Sequence, residues 1–217
     1  MRGQLKLGFS DARDDATALG PGALVLRGFA LAEEARLLRD VERVLVAAPP
    51  RNMITPGGFR MSVAMTSCGR LGWVTDRRGY RYAEHDPESG RPWPKMPASF
   101  LDLAGSAATH AGFEDFEPDS CLVNRYEPGA RLTLHQDKDE RDFSRPIVSV
   151  SLGLPAMFLF GGDDRSERAQ RVPLEHGDVV VWGGPARLRY HGVAPLAEGH
   201  HPRLGRQRIN LTFRHAG

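Results

Sequence analysis

From residue 119 to the C-terminus, short β-type runs follow one another with turns between them and no helical pattern to interrupt. The runs are S-C-L-V-N-R-Y (120–126), R-L-T-L-H (131–135), I-V-S-V-S-L (147–152), A-M-F-L-F (156–160), D-V-V-V-W (178–182), R-L-R-Y-H-G-V (187–193) and R-Q-R-I-N-L-T-F-R (206–214). Strands spaced this closely without helices between them fold into an antiparallel sandwich or barrel. The upstream half reads differently. Residues 1–20 are polar and unpatterned, a loose arm, and G-A-L-V-L-R-G-F (22–29) reads as a short buried strand. A helix is expected over 31–46, where Leu31, Ala35, Leu38, Val41 and Leu45 recur at helical spacing behind the acidic Glu33 and Glu34. Pro49-Pro50 ends it. The stretch 51–97 is rich in Gly, Pro, Arg and aromatics without clean periodicity, which predicts long functional loops. A second helix is expected over 97–111, with Pro97 at its start and Gly112 past its end. The predicted fold class is α+β, mainly β, with a jelly roll in the C-terminal half.

Two polar patterns within the β runs point to chemistry. His135-Gln136-Asp137 closes one run, and residues two apart on a strand point to the same face, roughly 7 Å apart along the chain. An imidazole and a carboxylate on one face leave a metal ion short of a ligand, and His191, in another run, is the natural third. Two histidines and a carboxylate with open positions are the facial triad of non-haem Fe(II) oxygenases. An H-x-D pair alone is common on protein surfaces, so the partner set carries the weight. His85, His110, His200 and His201 are read as structural or solvated. The second pattern is at the end of the chain, where Arg208, Asn210, Thr212 and Arg214 alternate with Ile209, Leu211 and Phe213. Two arginines aimed into a barrel need anionic partners, because an unpaired buried charge is costly, and a small dicarboxylate would satisfy both.

With these patterns on the page, a resemblance becomes specific. The segments N-R-Y-x-P-G-A-x-L-x-L-H-Q-D-x-D-E (124–140), H-G-D-V-V-V-W-G-G (176–184), Y-H-G (190–192) and R-x-N-x-T-F-R (208–214) resemble the AlkB family of nucleic-acid repair dioxygenases, close to its bacterial members. So do T-P-G-G-F-x-M-S-V-A-M-T (55–66) and C-G-x-L-G-W (68–73). The resemblance implies a double-stranded β-helix (jelly roll) core over about 119–217. An N-terminal extension over about 21–118 would form a nucleotide-recognition lid, the whole being one catalytic domain. It implies Fe(II) held by His135, Asp137 and His191, with 2-oxoglutarate as cosubstrate and O2 as oxidant. Arg208, Tyr126 and Asn210 would take the distal carboxylate of 2-oxoglutarate, Arg214 and Asn124 its metal-side end, and Leu122 and Leu132 would be apolar walls. Trp73, Tyr80, Tyr82, Asp139, Glu140 and Arg165 would form the substrate pocket and lid. The implied reaction is oxidative dealkylation of bases such as 1-methyladenine and 3-methylcytosine in single- or double-stranded DNA or in RNA, releasing succinate, CO2 and an aldehyde.

The substrate side also has a physical logic of its own. A base must leave the duplex before an oxidant at a metal can reach it. Aromatics interleaved with arginines over 73–82 offer stacking surfaces and phosphate contacts; the plainer reading of Trp73 and Tyr80 is that they cap the core. Alkylation can leave a base cationic, so Asp139 and Glu140 would favour the damaged form. A rival of the same cofactor class would hydroxylate a protein or small molecule, and a second would be a non-catalytic metal-binding barrel.

Composition permits this partner without demanding it. The 217 residues suffice for one buried core. Net charge is only +2, yet lysine occurs only at 6, 95 and 138, so nearly every cation is an arginine, whose flat fork suits carboxylates and phosphates. A codon bias toward arginine would give the same count. Cys68 and Cys121 are too few for a disulfide framework or a structural zinc site, and fit a reducing cytoplasm. No apolar window reaches membrane-spanning length and the N-terminus lacks the pattern of a secretory signal, so a cytoplasmic monomer with no membrane partner is expected.

Overall fold

The computed structural model describes residues 16–217. The first fifteen residues of the expected arm lie outside the described residues. Its last five form an edge strand, β1 (Ala16–Gly20), which pairs antiparallel with β2 (Ala23–Leu26).

A 3-10 turn at Leu31–Glu33 leads into α1 (Glu34–Ala47). The helix is where the spacing put it; of the expected row Val41 is buried and Leu38 and Leu45 are partly buried against the core, but Leu37 and Val44 centre the stripe and Leu31 is 51% exposed. Asp40 sits on the buried face because the Ser99 hydroxyl donates to its carboxylate and Arg43 pairs with it. The second helix, α2, runs Ala98–His110 and ends at Gly112, whose φ of 83° suits only glycine.

Between the helices the expected loops contain three strands: β3 (Ala64–Gly69), β4 (Gly72–Asp76) and β5 (Gly79–Ala83). The C-terminal half supplies β6 (Ser120–Tyr126), β7 (Leu132–His135), β8 (Ile147–Gly153), β9 (Ala156–Phe160), β10 (Gln170–Leu174), β11 (Val179–Trp182), β12 (His191–Val193) and β13 (Arg208–Arg214). The strand expected over 187–193 starts only at His191, because a 3-10 turn at Gly184–Ala186 occupies the approach.

These strands form two facing sheets, ordered β1-β2-β11-β8-β13-β6-β3 and β10-β9-β12-β7, with β4-β5 as a separate hairpin. All pairings are antiparallel, and the double-sheet arrangement is a jelly roll. The larger sheet is covered on one face by α1 and α2, where Phe100, Ala104, Val123, Leu211 and Phe213 are buried. Its other face meets the smaller sheet across a second cluster containing Leu122, Tyr126, Phe158, Phe160 and Trp182. Strand β13 is therefore buried throughout. Ile209, Leu211 and Phe213 face the helices, while Arg208, Asn210, Thr212 and Arg214 face the space between the sheets. Among the described residues no helix is long and apolar enough to cross a membrane.

Candidate metal and cosubstrate site

The smaller sheet sets the two histidines side by side. His191 on β12 is the register partner of His135 at the end of β7, and their ring centroids lie 4.4 Å apart. Gly192 permits this approach: a Cβ there would meet the Leu132 carbonyl oxygen at 2.6 Å. Asp137 follows just beyond β7, with its carboxylate oxygens 3.7 Å from His135 Nε2 and 3.5 Å from His191 Nε2. The three ligand atoms all lie within 4.8 Å of one another.

The protonation of this cluster suits a cation. Each histidine Nδ1 lies against a backbone carbonyl, His135 at 2.9 Å from Thr133 O and His191 at 3.0 Å from Arg189 O. A carbonyl only accepts, so each Nδ1 carries the proton and each Nε2 presents its lone pair to the shared space. Burial first, and the neighbouring His191 second, push His135 down to about 4, so the ring is neutral at pH 7. Burial alone would raise Asp137, but the Arg214 guanidinium, with help from the histidines, outweighs it and holds the carboxyl well below the usual range. Arg214 Nε donates to Asp137 Oδ2 at 3.0 Å. Two imidazole nitrogens and one carboxylate are the donor set that would hold Fe(II) while leaving positions open, the fit that an Fe(II) oxygenase requires.

Next to the triad, the inward row of β13 holds donors without acceptors. Arg208 is 1% exposed; its Nη2 donates to Ser151 Oγ at 3.0 Å and its guanidinium lies 5.0 Å from the centre of the Tyr126 ring. Its Nε and Nη1, and Nη1 of Arg214, have no partner. A buried guanidinium in this condition calls for an anion, and the two carboxylates of 2-oxoglutarate fit the demand. Asn210 is fixed by donating to Ser149 Oγ and Val150 O and accepting from Thr212 and Asn124. Leu122 is buried and Leu132 half-buried in the apolar cluster between the sheets.

The expected substrate residues fall into three groups. Trp73 on β4 and Tyr80 on β5 stack with centroids 5.7 Å apart and an 18° interplanar angle, and Trp73 Nε1 donates to Asp139 Oδ2 at 2.8 Å. Tyr80 is 50% exposed and Asp139 is exposed, so this group faces outward. Glu140 does not front an open pocket: it is buried, accepts from the Tyr82 hydroxyl at 2.7 Å, and pairs with Arg187 and Arg214 at 3.2 Å each. Tyr82 is correspondingly turned toward it, and burial raises its pKa. Arg165 is exposed on the turn between β9 and β10 and takes no part in the hydrogen bonds joining the other residues. Arg81, one of the arginines of 73–82 read as phosphate contacts, is tied to Asp76 across its own hairpin. Arg187, a buried member of the cluster, escaped the sequence reading, and so did the two carbonyls that set the histidine tautomers.

This fold and this triad define a class. The chain belongs to the 2OG-Fe(II) oxygenase superfamily, whose family model matches residues 22–214. It is 57% identical over 209 residues to the alpha-ketoglutarate-dependent dioxygenase AlkB of Escherichia coli, covering 96% of this chain and 97% of that one. An AlkB homolog of Caulobacter vibrioides is 49% identical over 180 residues, 81% of this chain and 80% of that one. The solved structure of OsALKBH1 superposes with a TM-score of 0.80 at 30% identity, covering 92% of this chain and 99% of that chain. Within the superfamily the protein is thus of the AlkB type, an Fe(II)- and 2-oxoglutarate-dependent dioxygenase.

Proposed function

We propose that this enzyme removes alkyl groups oxidatively from ring nitrogens of nucleic-acid bases, 1-methyladenine and 3-methylcytosine among them, and so reverses alkylation damage directly. The carrying observation is the meeting of His135, Asp137 and His191 beside a buried arginine, Arg208, with two unpartnered donors. Two relatives extend the reading by their names, a DNA N(6)-methyladenine demethylase of Arabidopsis thaliana and a tRNA demethylase of Schizosaccharomyces pombe. Both DNA and RNA lesions are therefore substrates to be tried.

In this reading His135, Asp137 and His191 hold Fe(II), and Arg208, Tyr126, Asn210, Asn124 and Arg214 hold 2-oxoglutarate between the walls of Leu122 and Leu132. The bound iron, with 2-oxoglutarate and O2, supplies the oxidation of the carbon on the base nitrogen, with succinate, CO2 and an aldehyde as products. The protein positions that carbon and excludes water. Trp73 and Tyr80 give a flipped base an aromatic face, and the Asp139 carboxylate beside them favours a cationic lesion. The enzyme acts as a cytoplasmic monomer and one catalytic unit, with residues 21–118 forming the lid and 119–217 the core; the free thiols of Cys68 and Cys121 support a reducing compartment.

The test is purified protein with Fe(II), 2-oxoglutarate and single-stranded DNA or RNA carrying either lesion, read by mass spectrometry. Loss of the methyl mass with matching succinate supports the proposal. Succinate release unaffected by any methylated oligonucleotide overturns it in favour of a protein or small-molecule substrate.

A further inference from the structure

Between β7 and β8, residues 136–146 contain no regular strand or helix, yet they carry Asp137, Asp139 and Glu140. Something other than a strand ladder must fix their direction. Arg187, at the end of the 3-10 turn before β12, is 2% exposed and spends its guanidinium on this one segment. Its Nε donates to Arg145 O at 3.0 Å, its Nη1 to Asp137 O at 2.9 Å, and its Nη2 lies 3.2 Å from Glu140 Oε2. The same group lies 5.3 Å from the centre of the Phe143 ring. One side chain therefore touches residues 137, 140, 143 and 145. From that segment Asp139 reaches Trp73 and Glu140 reaches Tyr82.

We propose that Arg187 is a positioning residue for the substrate wall, and that it sets coupling between 2-oxoglutarate consumption and base repair. This rests on the dealkylation reading above. The Asp137 carboxylate is held independently by Arg214, so losing Arg187 leaves metal and cosubstrate sites assembled while the wall of Trp73 and Asp139, backed by the buried Tyr82–Glu140 pair, loses its register. A target carbon displaced by about an ångström reacts far more slowly, and part of the cosubstrate is then consumed without repair. A two-electron reductant such as ascorbate, supplied in the assay, takes up the oxidising equivalents that the base does not. Lysine cannot substitute, since a point charge supplies no planar fork with contacts in three directions.

The experiment compares wild type, Arg187→Ala, Arg187→Lys and a core control, Leu174→Ala, whose side chain is buried on β10 in the cluster between the sheets. Three quantities are read: Co(II) affinity from its visible absorption, anaerobic binding of a 3-methylcytosine oligonucleotide to the Co(II) protein by fluorescence anisotropy, and succinate formed per base repaired by the Fe(II) enzyme. Both Arg187 variants are expected to bind Co(II) within about threefold of wild type, to bind the oligonucleotide about tenfold more weakly, and to form at least about fivefold more succinate per repair. The control should keep the wild-type ratio despite a lower melting temperature. Arg187→Lys matching wild type in oligonucleotide binding and coupling, or the control uncoupling equally, overturns the proposal. A wild-type enzyme that repairs no methylated base overturns the dealkylation reading instead, and this one with it.

Discussion

At the scale of single residues, the site separates groups that hold charge from groups that merely surround it. Arg208 is fully buried with two unused donors, and in the proposed reading its partner arrives with the cosubstrate. Removing one member of a buried charged pair costs about 2 kcal/mol or more. Arg208→Gln should therefore raise KM for 2-oxoglutarate by about thirtyfold or more, measured by succinate release, while Co(II) binding stays intact. Asp137→Ala should instead abolish metal binding in the same Co(II) titration, because it removes the only anionic ligand and leaves Arg214 facing two imidazoles. Asp139 poses a finer question, since it both accepts from Trp73 and carries charge. Asp139→Asn keeps an acceptor oxygen and removes the charge. It should lower the preference for cationic over neutral lesions by about fivefold, the scale of an exposed ion pair, in a competition assay with both oligonucleotides; an unchanged preference would show that the hydrogen bond alone matters.

At the scale of elements, the hairpin β4-β5 is where acid should be felt. Asp76 is held at about 2, below its ordinary 3.8, first by hydrogen bonds from Arg81 and then by the Arg78 N–H. A depressed carboxyl pKa stabilises the folded state above the unfolded value, and that contribution fades as pH falls from about 4 through about 2. The difference in denaturation midpoint between wild type and Asp76→Asn should be present at pH 7 and shrink toward zero over that window. Sequence patterning was a good guide to some elements and blind to others for a common reason. Strands β6, β8 and β13 were legible because their alternating or continuous apolar residues match a buried strand. Strands β4 and β5 mix Gly, Trp, Asp, Arg and Tyr, with Val74 and Thr75 adjacent yet both buried and Tyr80 exposed, and no period emerges. The α1 stripe reads off centre from spacing: the expected row includes Val41 but passes over Leu37 and Val44, and the buried Asp40, held by Ser99, leaves no apolar mark between them. In the site, His135, Asp137 and His191 could be named from residue type and spacing. Arg187 could not, because two of its partners are backbone oxygens, which leave no mark on residue identity.

At the scale of the whole molecule, the larger sheet separates two cores, and the apolar side chains of β13 belong to the helix-side one. Phe213 is wholly buried against Phe100 on α2, with ring centroids 5.8 Å apart. Phe213→Ala should cost about 3–5 kcal/mol and lower the melting temperature by roughly 6–20 °C, at about 2–4 °C per kcal/mol for a domain of this size. Calorimetry of the metal-free protein reads this directly. Adding Fe(II) and 2-oxoglutarate under nitrogen should raise the melting temperature of wild type, since both bind only the folded chain, and EDTA should reverse it. Strand β13 has no side turned to water: its odd-numbered residues bear on the helices and its even-numbered ones on the space between the sheets, where the proposal puts the cosubstrate. Seven consecutive positions thus have no room for silent drift. A saturation library over 208–214 should lose repair almost everywhere, with loss of soluble protein at one set of alternating codons and loss of catalysis in well-expressed protein at the other.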